Sequence, residues 1–127
     1  MKYLIALSVM ALFGCVNFSN ASCENSETTE SMRECYSLHL EKSENQMNSM
    51  LLLISSQMKD YVGGEASEEF VSAHNEWSVS VDKLCSNQRK LFGRGSLSGI
   101  NFITCKNKFI ESQIALYQSI YLDSLNP

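Results

Sequence analysis

Residues 40–64 read LEKSENQMNSMLLLISSQMKDYVGG, and the spacing of their apolar side chains decides the fold class. Leu40, Met47, Met50, Leu51, Ile54, Met58 and Tyr61 follow one another mostly at steps of three, four and seven, which is one face of an α-helix and not the alternation of a strand. Upstream, the polar and acidic residues 22–28 form an extended lead-in, with Thr28 or Thr29 as N-cap ahead of Glu30. Downstream, Gly63-Gly64 ends the helix, because glycine takes a left-handed cap conformation without steric cost. The polar stretch from Ser43 to Asn48 is a candidate bend in this first helix.

The pattern continues outward. A second helix is predicted from about Ser67, with Phe70, Ala73, Trp77, Val81, Leu84 and Gln88 on one stripe. Residues 77–82, WSVSVD, alternate like a strand in isolation, but their flanks keep helical spacing and no turn signal bounds them. Leu91 to Gly99 holds three glycines and two serines and reads as a loop. A last helix follows from about Asn101 to Leu125, carrying Ile103, Phe109, Ile110, Tyr117, Ile120 and Tyr121 at helical intervals. The expectation is an all-α fold, a small antiparallel bundle of about three helices in one domain spanning residues 22–127.

Residues 1–21 read as a secretory signal peptide: Met1 and Lys2 give a positive start, Tyr3 to Phe13 an apolar run, and Ser19-Asn20-Ala21 a small-residue cleavage site. The run is shorter than the roughly 20 apolar residues that span a bilayer, and no transmembrane segment is expected in the mature chain. Leu12-Phe13-Gly14-Cys15 also resembles the bacterial lipobox, with Phe13 where a small or β-branched residue is usual. On that alternative Cys15 is a lipidation site and the protein a membrane-anchored lipoprotein; otherwise it is periplasmic or secreted.

Five cysteines, Cys15, Cys23, Cys35, Cys85 and Cys105, are an odd count for an exported chain. Cleavage or acylation removes Cys15 from the reckoning and leaves four, which an oxidising compartment turns into two disulfides. Three connectivities are open. A loop joining two helices brings the end of one near the start of the next, which favours Cys23 with Cys35 and Cys85 with Cys105, each worth about 3 kcal/mol. No CxxC pair is present, so no zinc site is expected.

Net charge is −4 over 127 residues, from 10 Lys plus Arg against 14 Asp plus Glu, and it is unevenly spread. Residues 22–69 hold three basic and ten acidic side chains, a balance of −7, while residues 70–127 hold six basic and four acidic, a balance of +2. Nucleic acid is excluded as a partner on this balance, whereas an acidic face steers a cationic protein toward it. His39 and His74 have no second histidine at metal spacing, no GxSxG elbow accompanies the serines, and Gly93-Arg94-Gly95-Ser96 lacks phosphate-loop spacing. The chain is therefore read as no enzyme, with no cofactor and no metal. Met47, Met50 and Met58 are read as core rather than copper ligands, and Trp77 as a packing anchor.

Cys23 and Cys35, then Met47-Asn48 and the apolar Leu51, then Trp77 eight residues before Cys85 with Asp82 between, a glycine-serine loop and Cys105 opening the last helix form a framework. This framework resembles the LprI-type lysozyme-inhibitor domain of bacterial exported proteins, from about Cys23 to Tyr121. The family usually has Gln at the position of His74, Arg at Val81, Tyr at Leu51, and Thr and Arg where Ile110 and Gln113 stand. The resemblance implies a small disulfide-bonded envelope protein, with Trp77 and Asp82 in its structural core, and lysozyme inhibition by part of the family. Glu41, Glu44, Glu65, Glu68 and Glu69 are the candidate contacts to a cationic peptidoglycan hydrolase of lysozyme type. The rival reading is an envelope structural or assembly factor, or a toxin-immunity protein, without lysozyme activity.

Overall fold

Thr28 opens the first helix by a reciprocal cap. Its hydroxyl accepts from the Ser31 backbone N–H at 3.1 Å, and the Ser31 hydroxyl accepts from the Thr28 N–H at 3.2 Å. The computed structural model describes residues 23–125; residues 1–22, and with them the expected leader and Cys15, lie outside the described residues. From the cap, α1 runs unbroken over Thr29–Tyr61. The expected bend near Ser43 to Asn48 does not occur, because small Ser43 and flexible Met47 are both buried against the other helices and keep the polar stretch in helical register.

The chain reverses within two residues. Gly63 has φ 140° and ψ 165°, a region open essentially to glycine alone, which is not the left-handed cap expected but does the same work of turning the chain. Helix α2 follows over Gly64–Lys90, starting three residues earlier than its apolar stripe suggests, and residues 77–82 are helical within it. Ser67 then ties the two helices by donating its hydroxyl to the Ser55 carbonyl at 2.8 Å.

The second connection is shorter than expected. Helix α3 spans Ser96–Tyr117, so the serines and glycines of 96–99 belong to its first turn and only residues 91–95 remain outside a helix. Ser98 is buried and accepts from the Arg89 guanidinium at 3.4 Å, and Ile100 is buried behind it. Burial of these side chains outweighs their low helix propensity. Beyond Tyr117 the helix widens into a π-helical turn, Gln118–Leu122, and closes with Asp123–Leu125. The extra residue per turn lets Tyr117 and Leu122 both face inward.

Three antiparallel neighbours thus form an all-α bundle, with α2 reversed against α1 and α3, and no strand among the described residues. Met47, Ile54, Phe70, Ile110, Tyr117 and Leu122 form the buried core, and Leu51, Met58, Trp77 and Tyr121 pack around it. On α2 the inward stripe is Phe70, His74, Val81 and Cys85, with Ala73 exposed and Leu84 52% exposed. The stripe read from hydrophobicity lies one position away in these places because a histidine and a disulfide cysteine occupy the core. Both favoured bridges form, Cys23–Cys35 and Cys85–Cys105.

Cys85 is fully buried and its bridge closes a loop of 20 residues. Replacing Cys85 and Cys105 together by alanine is expected to lower the unfolding free energy by about 3 kcal/mol in chemical denaturation. An unchanged denaturation midpoint would show that the bridge contributes nothing to holding α2 on α3.

Candidate functional site

The Cys85–Cys105 bridge decides which polar side chains meet. Asp82 lies one turn before Cys85, and Lys106 directly follows Cys105. The Lys106 ammonium consequently sits 3.0 Å from the Asp82 carboxylate on α2 and 3.6 Å from the Glu44 carboxylate on α1. One cation on α3 bridges anions on both other helices. Its stem also lies near the Phe102 ring, with Nζ 5.8 Å from the ring centroid. Lys106 is 21% exposed, Glu44 44% and Asp82 53%, so the triad forms a rim rather than a buried network.

Below this rim lies a cleft of about 270 Å³ whose lining includes Glu44, Asn48, His74, Trp77, Ser78 and Lys106, with Met47, Val81 and Ile110 as apolar floor. A broader groove of about 470 Å³ at Val79, Lys83 and Asn87 is lined by α2 alone and joins no groups from different helices. The floor of the cleft continues into an aromatic ladder. His74 shares a hydrogen bond of 3.0 Å with the Tyr117 hydroxyl, Trp77 stacks obliquely on His74 at 5.3 Å, and Phe70 and Tyr121 pack around Tyr117. Burial pushes the His74 pKa down from its ordinary value. Burial likewise raises that of Tyr117, opposed by a hydrogen bond to Gln113 and reinforced by Tyr121. Both groups are thus held neutral.

An apolar floor with a polar, charged rim suits recognition of a partner's side chain or loop. Of the two histidines, His74 is engaged with Tyr117, and the His39 ring faces the Cys23 sulfur at 3.9 Å. The one metal-like grouping among the described residues is Cys23, Cys35 and His39, whose donor atoms lie within 4.8 Å of one another. Both sulfurs are consumed by the disulfide, which leaves a single nitrogen.

The other expected positions separate. Asp82 is an exposed rim carboxylate, not a core residue; a carboxylate with a mobile cation partner stays hydrated more cheaply than it is buried. Trp77 is half-buried against the core and forms one cleft wall. Glu41 is exposed on α1 near Glu44, whereas Glu65, Glu68 and Glu69 are exposed on the first turns of α2. At 1.5 Å per residue along α1, the two groups stand about 25 Å apart, so the five glutamates are not one patch. Lys106 went unselected in the sequence, although its place beside a disulfide cysteine is the signal that fixes its position.

These features define a small disulfide-pinned helical domain, in which three helices converge on a polar-rimmed cleft. The chain belongs to the LprI family: the model of that family, described as "Lysozyme inhibitor LprI", matches residues 19–116. No curated protein and no solved structure matches the chain. Asn48 and Trp77, two of the residues that carry the resemblance, line this cleft, and a third, Asp82, is paired with its Lys106.

Two measurements test the site. His74 is neutral in the fold and protonates more readily when unfolded, so its contribution is present above about pH 6.5 and is lost as pH falls through its depressed folded value. The melting temperature should therefore fall between about pH 7 and pH 5.5 in the parent and stay flatter in His74→Gln. A double-mutant cycle of Lys106→Ala and Asp82→Ala is expected to show a coupling of about 0.5 kcal/mol, as befits a pair with a half-exposed partner. A coupling of zero would remove the bridge from the account of the rim.

Proposed function

We propose that this chain is an exported binding protein that inhibits a lysozyme-type peptidoglycan hydrolase by occluding its cleft. The observation that carries the reading is membership of a family described as lysozyme inhibitors, over most of the chain. Residues 1–21 direct export, with Ser22 as the first mature residue or, on the alternative, acylated Cys15 as the membrane tether. No described helix is long and apolar enough to cross a membrane.

Charge selects the contact face. Asp60, Glu65, Glu68 and Glu69 are all exposed where α1 turns into α2, with Lys59 as the neighbouring cation. That end of the bundle draws in a cationic enzyme and speeds encounter more than it tightens the complex. Glu44 contributes less to such a field because Lys106 offsets its charge. Glu41 and Glu44 then serve the rim of the cleft, away from the turn.

Titration of a lysozyme with the oxidised, exported protein should give saturable inhibition near stoichiometric ratio, weakening as salt rises. Reversing Glu65, Glu68 and Glu69 to lysine should slow association by about tenfold or more and flatten its salt dependence. Absence of inhibition across lysozyme types would sink the reading and leave the rival, an envelope assembly factor or immunity protein. Full inhibition with unchanged kinetics in the triple variant would move the contact face away from the turn.

A further inference from the structure

The opposite end of the bundle has different chemistry. Between Lys83 and Ile110 the chain carries Lys83, Arg89, Lys90, Arg94, Lys106 and Lys108 and not one carboxylate, within a protein of net charge −4. At the centre of this stretch the α2–α3 connection and the first turn of α3 hold three large apolar side chains out of the fold. Leu91 is 81% exposed, Phe92 54% and Leu97 56%. Gly93, at φ 71°, makes the turn that presents them. Among the described residues no carboxylate pairs with Arg89, Lys90 or Arg94; Asp82, which lines one groove with Lys90, is paired with Lys106, and Glu24, Glu27, Glu30 and Glu34 lie on the lead-in and first turns of α1 toward the same end, where Arg33 pairs with Glu30.

Exposed apolar side chains flanked by cations that no carboxylate neutralises match the boundary layer of an anionic bilayer, in which acyl chains lie under negative headgroups. A protein partner of ordinary surface has no comparable layering. We propose that the α2–α3 tip docks on an anionic phospholipid membrane, inserting Leu91, Phe92 and Leu97 between headgroups that Lys90 and Arg94 contact.

Chain path agrees with this orientation. Helices α1 and α3 run in parallel and meet where Glu44 faces Lys106. Cys35 lies nine residues before Glu44 and Ser98 eight before Lys106, so both stand about 12–14 Å from that contact toward the same end. Cys23, where the described chain begins, is tied to Cys35 and therefore starts at the tip end. Docking there points the acidic α1–α2 turn away from the membrane. The inference stands on the tip itself and does not require lysozyme to be the partner.

The test uses the exported, processed and oxidised protein carrying Cys15→Ser, so that no acyl chain contributes, mixed with vesicles of phosphatidylglycerol and phosphatidylcholine or of phosphatidylcholine alone. Co-sedimentation with the anionic vesicles only, weakening with salt, is the expected result. Each cation near such a surface changes partitioning by about fivefold, so Lys90→Glu with Arg94→Glu should weaken binding at least tenfold. Leu91→Ser with Phe92→Ser should weaken it at all salt concentrations while helical content is unchanged. No binding of the parent at low salt, or equal binding by the charge-reversed variant, would overturn the proposal. So would a dimer in sedimentation equilibrium that Leu91→Ser with Phe92→Ser converts to monomer, because the patch then belongs to a second copy.

Discussion

The register between α2 and α3 is the constraint on which the rest of this structure depends. It is set twice. Cys85 is bonded to Cys105, and His74 is hydrogen-bonded to Tyr117. His74 lies eleven residues before Cys85 and Tyr117 twelve after Cys105, which is three helical turns on each antiparallel helix. A covalent pin and a buried polar contact thus agree on one alignment. A slip of either helix by one residue would break the bond, strand the imidazole in the core and carry Lys106 away from Asp82 and Glu44.

That register also organises charge. The first helix and the turn that follows are acidic, the stretch after Lys83 is basic, and antiparallel packing sends the acidic turn and the basic connection to opposite ends. At the Glu44–Lys106–Asp82 bridge the two signs meet across all three helices and close the rim of the cleft. A molecule with a polarised long axis presents different partners with different ends. The two ends accordingly differ in chemistry, with exposed carboxylates at the α1–α2 turn and exposed leucines and a phenylalanine at the other.

Much of the fold was legible because its signals are local. Thr28 caps α1 through a side chain three residues from its partner, the 47, 50, 54 and 58 stripe needs only a helical period, and two cysteine pairs bracket their own short loops. The errors fall where a distant contact overrides local preference. Ser96 to Gly99 reads as loop by composition, yet Ser98 and Ile100 are buried under the neighbouring helices, so the turn folds as helix. Ala73 and Leu84 read as core by hydrophobicity, yet His74 and Cys85 hold those places, since a hydrogen bond and a disulfide satisfy what hydropathy scales penalise. The same limit hid the site: Asp82 and Lys106 are 24 residues apart, and no periodicity connects them.

By itself the amino-acid sequence determined the helical class, a cap at Thr28 or Thr29, the reversal at Gly63-Gly64, a preference among the three cysteine pairings and the uneven division of charge, because each depends on residues within a few turns of one another. The family framework was visible for the same reason, as spacings along the chain. Tertiary structure alone decided that Asp82 stands on the surface, that Glu41 and Glu44 part company with Glu65, Glu68 and Glu69, and that Lys106 joins three helices at one rim. Those outcomes follow from the angular position of each residue once the helices pack, and burial couples residues that the chain keeps far apart.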